Sequence, residues 1–318
     1  ATEAEIAEDE GVANYVKFTF DAQVSFRQGP YEEYAGPKVY PPELHALFRN
    51  NGNGTFTDVS DVAGITRHPG KGMGVVGADY DDDGDTDIFV LNDVYENHCF
   101  QNDGTGKFRE VALELGFKYN GEGTPLGSMG VDCGDYDNDG RLDFYQTSYQ
   151  TELPVLYRNL SHDIFEDVTL RSGAGQATVN NVKWGCGFVD FDNDGYRDLF
   201  VAMGHLQDLI DHYDPTTSYR TWNVLLRNLG EGRFTEVSRQ CGLRQTAAHS
   251  ARGAVFDDLD NDGDIDAVVL NSRERPTVLR NRLQESESQN HWLQIRLRGT
   301  ATNRDGVGAR VRVRAGDL

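Results

Sequence analysis

The fold class this sequence predicts is all-β, a β-propeller of four-stranded blades, and three observations predict it. A nine-residue acidic phrase, D-x-D-x-D-G-x-x-D, occurs four times, at 79–87, 135–143, 190–198 and 258–266. A second phrase, two apolar residues then Arg-Asn followed by Gly-x-Phe-x-x-Val, recurs out of phase with the first. The acidic phrases are spaced by 56, 55 and 68 residues. Each interval has room for about four short strands separated by turns, the repeat unit of a propeller.

The elements follow in chain order. Residues 1–10 are acidic and featureless, and are expected to fray. Residues 11–282 hold the blades. Val12-Ala13-Asn14 matches Val90-Leu91-Asn92, Val201-Ala202-Met203 and Val269-Leu270-Asn271, so residues 11–18 read as the end of a blade that lacks its own acidic loop. The segment from Phe20 to Pro42, with Gly-Pro and Pro-Pro steps, reads as a long excursion between strands. Within a full unit a Gly-rich strand such as Gly72–Gly77 enters the loop and an apolar strand such as Asp87-Ile88-Phe89-Val90 leaves it. A strand of the type Leu47-Phe48-Arg49-Asn50 and one of the type Phe56-Thr57-Asp58-Val59 complete the set. Asn53-Gly54 and Asp103-Gly104 join such pairs, because these dipeptides tolerate the positive φ of a tight hairpin. A glycine stands five residues before each loop (Gly74, Gly130, Gly185, Gly253), as expected of an innermost strand crowded around an axis.

The acidic phrases carry the chemistry of a calcium cage, about four sites in all. Calcium takes six to eight hard oxygen ligands in a flexible shell. Asp79, Asp81, Asp83 and Asp87 offer carboxylates at positions 1, 3, 5 and 9, as do Asp135, Asp137, Asp139 and Asp143, then Asp190, Asp192, Asp194 and Asp198, then Asp258, Asp260, Asp262 and Asp266. Position 6 is always glycine, which turns the backbone sharply. Position 7 is expected to contribute only its carbonyl, so its side chain varies: Asp85, Arg141, Tyr196, Asp264. Carboxylates crowded this closely repel without a cation. Asp and Gly also favour plain solvated turns, but four copies without failure at five positions argue against that reading.

Composition narrows the function. The net charge is −22, and sixteen of the acids are the loop carboxylates; four divalent ions would bring it to −14. That balance predicts cation dependence and no nucleic-acid partner. No apolar run approaches membrane-spanning length. The chain begins at Ala1 rather than Met, as expected of a processed or trimmed chain. Cys99, Cys133, Cys186 and Cys241 fit no zinc spacing and read as small buried residues. Weak calcium sites need the high calcium found outside cells, so the expected compartment is extracellular or periplasmic.

The four loops and their Gly-rich strands resemble FG-GAP or VCBS-type repeats, as in integrin α-subunit propellers. The stretch Leu47–Ile65 resembles bacterial relatives of the cartilage acidic protein family, and His291–Leu297 with Asn303–Val311 resembles the start of an ASPIC/UnbV domain, here 283–318. The resemblance implies a complete propeller of about seven blades. This chain is therefore expected to be part of a longer protein, or to be completed by other segments.

A second candidate site lies on the inner strands. Six residues before each loop stand Met73, Met129, Trp184 and Arg252, and slightly upstream lie His68, Lys71, Lys183 and His249. Around an axis they would ring one mouth of the channel and suit an anionic sugar or small acid. The plainer reading is that Met and Trp fill the core while the basic residues cap loops or pair with acids. No nucleophile elbow, zinc-protease helix or phosphate loop is present. The expected function is thus a calcium-binding module for a protein or glycan ligand, or a subunit of a larger assembly. The alternative is an enzyme on a propeller scaffold, polysaccharide-active or biosynthetic, with its site at the channel mouth.

Overall fold

A computed structural model describes residues 10–283, 290–300, 309, 311, 313 and 314. Five antiparallel sheets follow one another along the chain as blades of a propeller. The first holds β1 (Glu10–Val12), β4 (Ala46–Asn50) and β5 (Phe56–Asp58). Between β1 and β4 the chain makes a separate hairpin, β2 (Phe26–Gln28) with β3 (Tyr31–Glu33). The second sheet is β6 (Gly72–Ala78), β7 (Asp87–Asn92), β8 (His98–Asn102) and β9 (Phe108–Glu110). The third is β10 (Val131–Gly134), β11 (Asp143–Gln146), β12 (Val155–Ser161) and β13 (Ile164–Asp167). The fourth is β14 (Lys183–Val189), β15 (Asp198–Met203), β16 (Val224–Asn228) and β17 (Phe234–Glu236). The fifth is β18 (Ala251–Asp257), β19 (Asp266–Asn271) and β20 (Thr277–Leu279).

β1 pairs with β4 in the register in which β7 pairs with β8, Val12 opposite Ala46 as Val90 is opposite His98. β1 therefore takes the place of the second strand of the other blades, as the repeat of Val12-Ala13-Asn14 suggests. β7 and β15 read as nearly unbroken apolar runs because sheets packed on both faces bury both sets of side chains. Leu47, Ile65, Val90 and Phe100 join the first sheet to the second. Phe89, Phe117, Phe144 and Phe165 join the second to the third, with the Phe89 and Phe144 ring centroids 4.0 Å apart. Tyr145, Leu199, Val201 and Leu226 join the third to the fourth, and Phe200, Ala202, Ala251 and Val269 join the fourth to the fifth. Among the described residues none of these four clusters joins the first sheet to the fifth.

The innermost strands approach so closely that a Cβ at Gly74 or Gly130 would lie 2.3 and 2.1 Å from the carbonyl oxygens of Met129 and Trp184. At Gly253 a Cβ would meet only the Leu270 side chain at 3.8 Å. On the outward face of the fifth sheet, Val255, Val278 and Leu270 are exposed by 65, 62 and 53%, uncovered among the described residues.

Residues 290–300 carry no strand, and most of 301–318 lies outside the described residues, so the C-terminal β segment remains an expectation. The fraying of residues 1–10 likewise falls almost wholly outside them. Cys99 is buried and Cys133 and Cys186 are half-buried, but Cys241 is exposed, which corrects the expectation of a small buried residue. It sits on the turn after β17 rather than on a packed strand.

Candidate functional site

Each acidic loop links the first two strands of its blade, so all four lie at one end of the strands. Within a loop the position-1 carboxylate accepts the N–H groups of positions 5 and 6, as Asp135 does from Asp139 (3.0 Å) and Gly140 (2.8 Å). The position-5 carboxylate accepts the N–H of position 7, as Asp139 does from Arg141 at 3.0 Å. Position 6 turns at φ 90° in Gly140. Position 4 also lies in the left-handed region, at φ 63, 58, 54 and 59° for Asp82, Asn138, Asn193 and Asn261. Asn and Asp tolerate that region, which accounts for a residue choice the sequence reading passed over.

Position 9 closes each loop from below. Asp87, Asp143, Asp198 and Asp266 are buried. One oxygen of each accepts the backbone N–H of the Asn in the Arg-Asn phrase, at 2.8 Å from Asn102, Asn159, Asn228 and Asn281 alike. The other accepts the N–H of position 2, at 3.3 Å from Tyr136 in the third blade. The same Asn residues reach back one blade. Their side-chain amides donate to the position-2 carbonyls of the preceding loops, Asn159 to Tyr80 (3.1 Å), Asn228 to Tyr136 (2.8 Å) and Asn281 to Phe191 (2.8 Å). The neighbouring arginine turns onto its own loop: Arg158 lies 2.7 Å from Asp137, Arg227 2.6 Å from Asp192 and Arg280 2.7 Å from Asp260. In the second blade Gln101 takes that place, donating to Asp81 at 2.8 Å.

The oxygens left over decide what the loops can hold. Carboxylate oxygens of Asp79, Asp81 and Asp87, of Asp135, Asp137 and Asp143, of Asp190, Asp192 and Asp194, and of Asp258, Asp260 and Asp262 each converge to within 4.8 Å. The second oxygens of Asp81, Asp137 and Asp192, the position-3 residues, are buried without a hydrogen-bond partner. Buried polar atoms in folded proteins are as a rule satisfied, so an orphan at the same position of three loops leaves matched acceptor capacity for a cation. Burial pushes the carboxyls of Asp87 and Asp198 up to about 7 and that of Asp143 up to about 8; bonded N–H groups oppose the shift and the neighbouring loop carboxylates add to it. An oxygen-only donor set with unneutralised charge fits a hard divalent cation.

The second predicted site maps to the other end of the strands. Register breaks leave Met73, Trp184 and Arg252 on bulges of β6, β14 and β18, and such a bulge re-aims a side chain. Arg252 lies 4.4 Å over the Trp184 ring and donates to the Ser250 hydroxyl and the Ala251 carbonyl, both at 2.8 Å. Met73 is 38% exposed, whereas Met129 is buried. Lys71 and Lys183 are buried: Lys71 donates to the Pro37 carbonyl at 2.8 Å, and Lys183 to those of Tyr149 (2.8 Å) and Glu152 (2.7 Å). Burial lowers the Lys183 ammonium to about 7. His249 pairs with Glu274, and His68 lies edge-on to His98 and Phe100. The structure thus joins Trp184 to Arg252, turns Lys71, Lys183, His249 and Arg252 onto carbonyl, hydroxyl or carboxylate oxygens, and packs His68 against rings.

A family model described as FG-GAP-like repeat matches residues 45–90, 79–145 and 190–269. The chain belongs to the FG-GAP-like repeat family. This FG-GAP-like chain is 32% identical over 165 residues to mouse (Mus musculus) cartilage acidic protein 1, covering 50% of this chain and 25% of the relative. It is 23% identical over 256 residues to the human (Homo sapiens) protein of the same name, covering 80% and 36%. It therefore spans well under half the length of these relatives. A solved structure of an Agrocybe aegerita lectin, titled for specific recognition of non-reducing terminal N-acetylglucosamine, overlays with a TM-score of 0.41 at 19% identity, over 77% of this chain and 62% of that one. That overlay is too loose to carry weight.

Proposed function

We propose that the four acidic loops bind calcium and that the chain is a calcium-stabilised extracytoplasmic propeller acting as a binding or scaffold module for a protein or glycan. The observation that carries the reading is the buried, unpartnered oxygen at position 3 of three loops, in residues whose carboxylates converge with two others. The carboxylates of positions 1, 3, 5 and 9 and the position-7 carbonyls would hold the ion. Its contribution is charge: it removes the repulsion that crowding imposes on these aspartates. The protein's own contribution is placement, through the N–H groups that fix positions 1, 5 and 9 before any ion arrives.

An extracellular or periplasmic setting is supported by the loop type, since calcium modules outside cells work at high calcium. The uncovered apolar face of the fifth sheet supports a subunit within a larger assembly. The test is metal analysis of purified protein with melting curves in calcium and in chelator. Bound calcium near four per chain, with a melt lowered by chelator, is expected. Protein free of calcium whose melt ignores chelator would remove the reading.

A further inference from the structure

At the end of the strands opposite the acidic loops, the β2–β3 excursion crosses the propeller and covers a cavity. The strap is pinned to the β15–β16 connection: the Tyr34 N–H donates to the Gln207 side chain at 2.8 Å, and the Gln207 amide returns a bond to the Tyr34 carbonyl at 3.0 Å. Tyr31 stacks on His212, ring centroids 5.2 Å apart. Arg273 of the fifth blade donates to the Tyr34 hydroxyl at 2.8 Å. Beneath lies a cavity of ≈ 380 Å³ lined by Glu33 of the strap, by Tyr149 and Gln150 after β11, and by His205, Tyr213 and Asp214 after β15, among others.

We propose that this cavity binds an ammonium group, presented by a lysine side chain of a partner protein or by a free aliphatic amine. The lining includes two carboxylates and no Lys or Arg. The nearby cations are held elsewhere, Lys183 on two backbone carbonyls and Arg252 on Ser250, Ala251 and the His205 carbonyl. His205 is buried and adds no charge: its Nδ1 accepts the Gln207 N–H at 3.0 Å, so its proton sits on Nε2, 3.1 Å from the Gln150 side-chain oxygen. Burial lowers its pKa further. The Gln150 amide in turn donates to Asp214 at 2.9 Å. The imidazole and the buried amides thus satisfy one another, and what remains for a guest is chiefly acceptor oxygen and tyrosine ring. The Tyr213 hydroxyl oxygen is buried with no partner in hydrogen-bond geometry, although the Glu33 carboxylate lies beside it. Burial pushes the Tyr149 phenol up to about 12, and the charges of Glu33, Asp93, Glu152 and Asp214 around it push the same way, so the potential here is negative. An ammonium has three donors and no acceptor, and it gains from aromatic faces. A sugar needs donors as well as acceptors, and apart from the Tyr213 hydroxyl and the Gln28 amide this lining has its donors bonded within, while an anion would be repelled.

The inference rests on reading the propeller as a binding module, but not on the calcium loops at the far end. The test is calorimetric titration of the calcium-loaded chain with three probes: acetyl-Gly-Lys-Gly-amide, cadaverine, and the same tripeptide acetylated on the lysine Nε. Binding of the lysine tripeptide or of cadaverine is expected, the tighter of the two naming the source, with none for the acetylated tripeptide. Glu33→Gln should weaken binding by about tenfold or more, the loss of one charge-assisted bond. Tyr213→Phe should weaken it less, and both variants should keep the parent melting curve. Three results would each overturn the proposal: no heat with either ammonium probe, equal binding of the acetylated tripeptide, or unchanged affinity in Glu33→Gln. Binding seen only after chelator strips calcium would assign the cavity to a metal ion and overturn it as well. Stoichiometric calcium with every probe failing refutes the cavity alone.

Discussion

Replacing Asn228 with alanine tests whether the Arg-Asn phrase clamps one blade to the next. The Asn228 side chain is buried and makes three bonds: to the Tyr136 carbonyl (2.8 Å), to the Arg197 carbonyl (3.0 Å) and from the Gly230 N–H (3.0 Å). Alanine leaves these backbone groups without their partner. Each orphaned buried group costs about 1–3 kcal/mol, and relaxation recovers part, so a net loss of roughly 3–5 kcal/mol is expected. In a domain of this size that lowers Tm by roughly 6–15 °C. Asn102→Ala is the matched control. Its side chain is only partly buried: it donates at 3.2 Å to Thr86 of its own blade and accepts the exposed Gly104 and Gly106 N–H groups, and among the described residues the first sheet offers it no acidic loop to reach. Its loss should be about 1 kcal/mol. The assay is equilibrium urea unfolding in saturating calcium, with both variants beside the parent. Equal losses in the two variants, or a loss below about 1 kcal/mol for Asn228→Ala, would refute the clamp.

Three other outcomes are expected. In chelator, stability should fall as pH rises from about 4 to 8: the carboxyls of Asp87, Asp143 and Asp198 are raised in the folded state, so their contribution is complete below the unfolded value and lost as pH passes the folded one. Calcium should flatten or reverse that slope, and melting curves at several pH values with and without calcium read both. Arg158→Met should lower metal-free stability by about 1 kcal/mol, since the half-exposed guanidinium screens Asp137 from Asp139, yet tighten calcium binding in a titration by deepening the negative potential. Phe144→Ala should cost about 3–5 kcal/mol in denaturant unfolding, because its ring fills the core between the second and third sheets.

The blades were legible because their signals are local. The acidic phrase, the turn glycines and the apolar strands each recur at fixed offsets, and Val12-Ala13-Asn14 could be placed as a second strand by analogy alone. The crowding at Gly74 and Gly130 followed from the same periodicity. What stayed hidden is what one repeat does to another. Asn159 and Asn228 stand in plain view within the Arg-Asn phrase, but their amides bond to main-chain carbonyls of the preceding blade, and carbonyls leave no mark in a sequence. Lys71 and Lys183 read as cations at a channel mouth or pairing with loops and acids; the carbonyls that let them be buried belong to the strap and to the third blade. The cavity beneath the strap draws on residues from 28 to 214, a separation that no spacing rule reaches.

Packing from sheet to sheet has a mechanical consequence for this stretch of chain taken by itself. A closed ring gives every member two flanking partners, whereas here, among the described residues, the core clusters hold the two end links on one side only. In such a linear array, stability is a sum of neighbour terms. The terminal links should therefore unzip first and exchange their amide hydrogens soonest, while the middle three stay locked until the whole gives way.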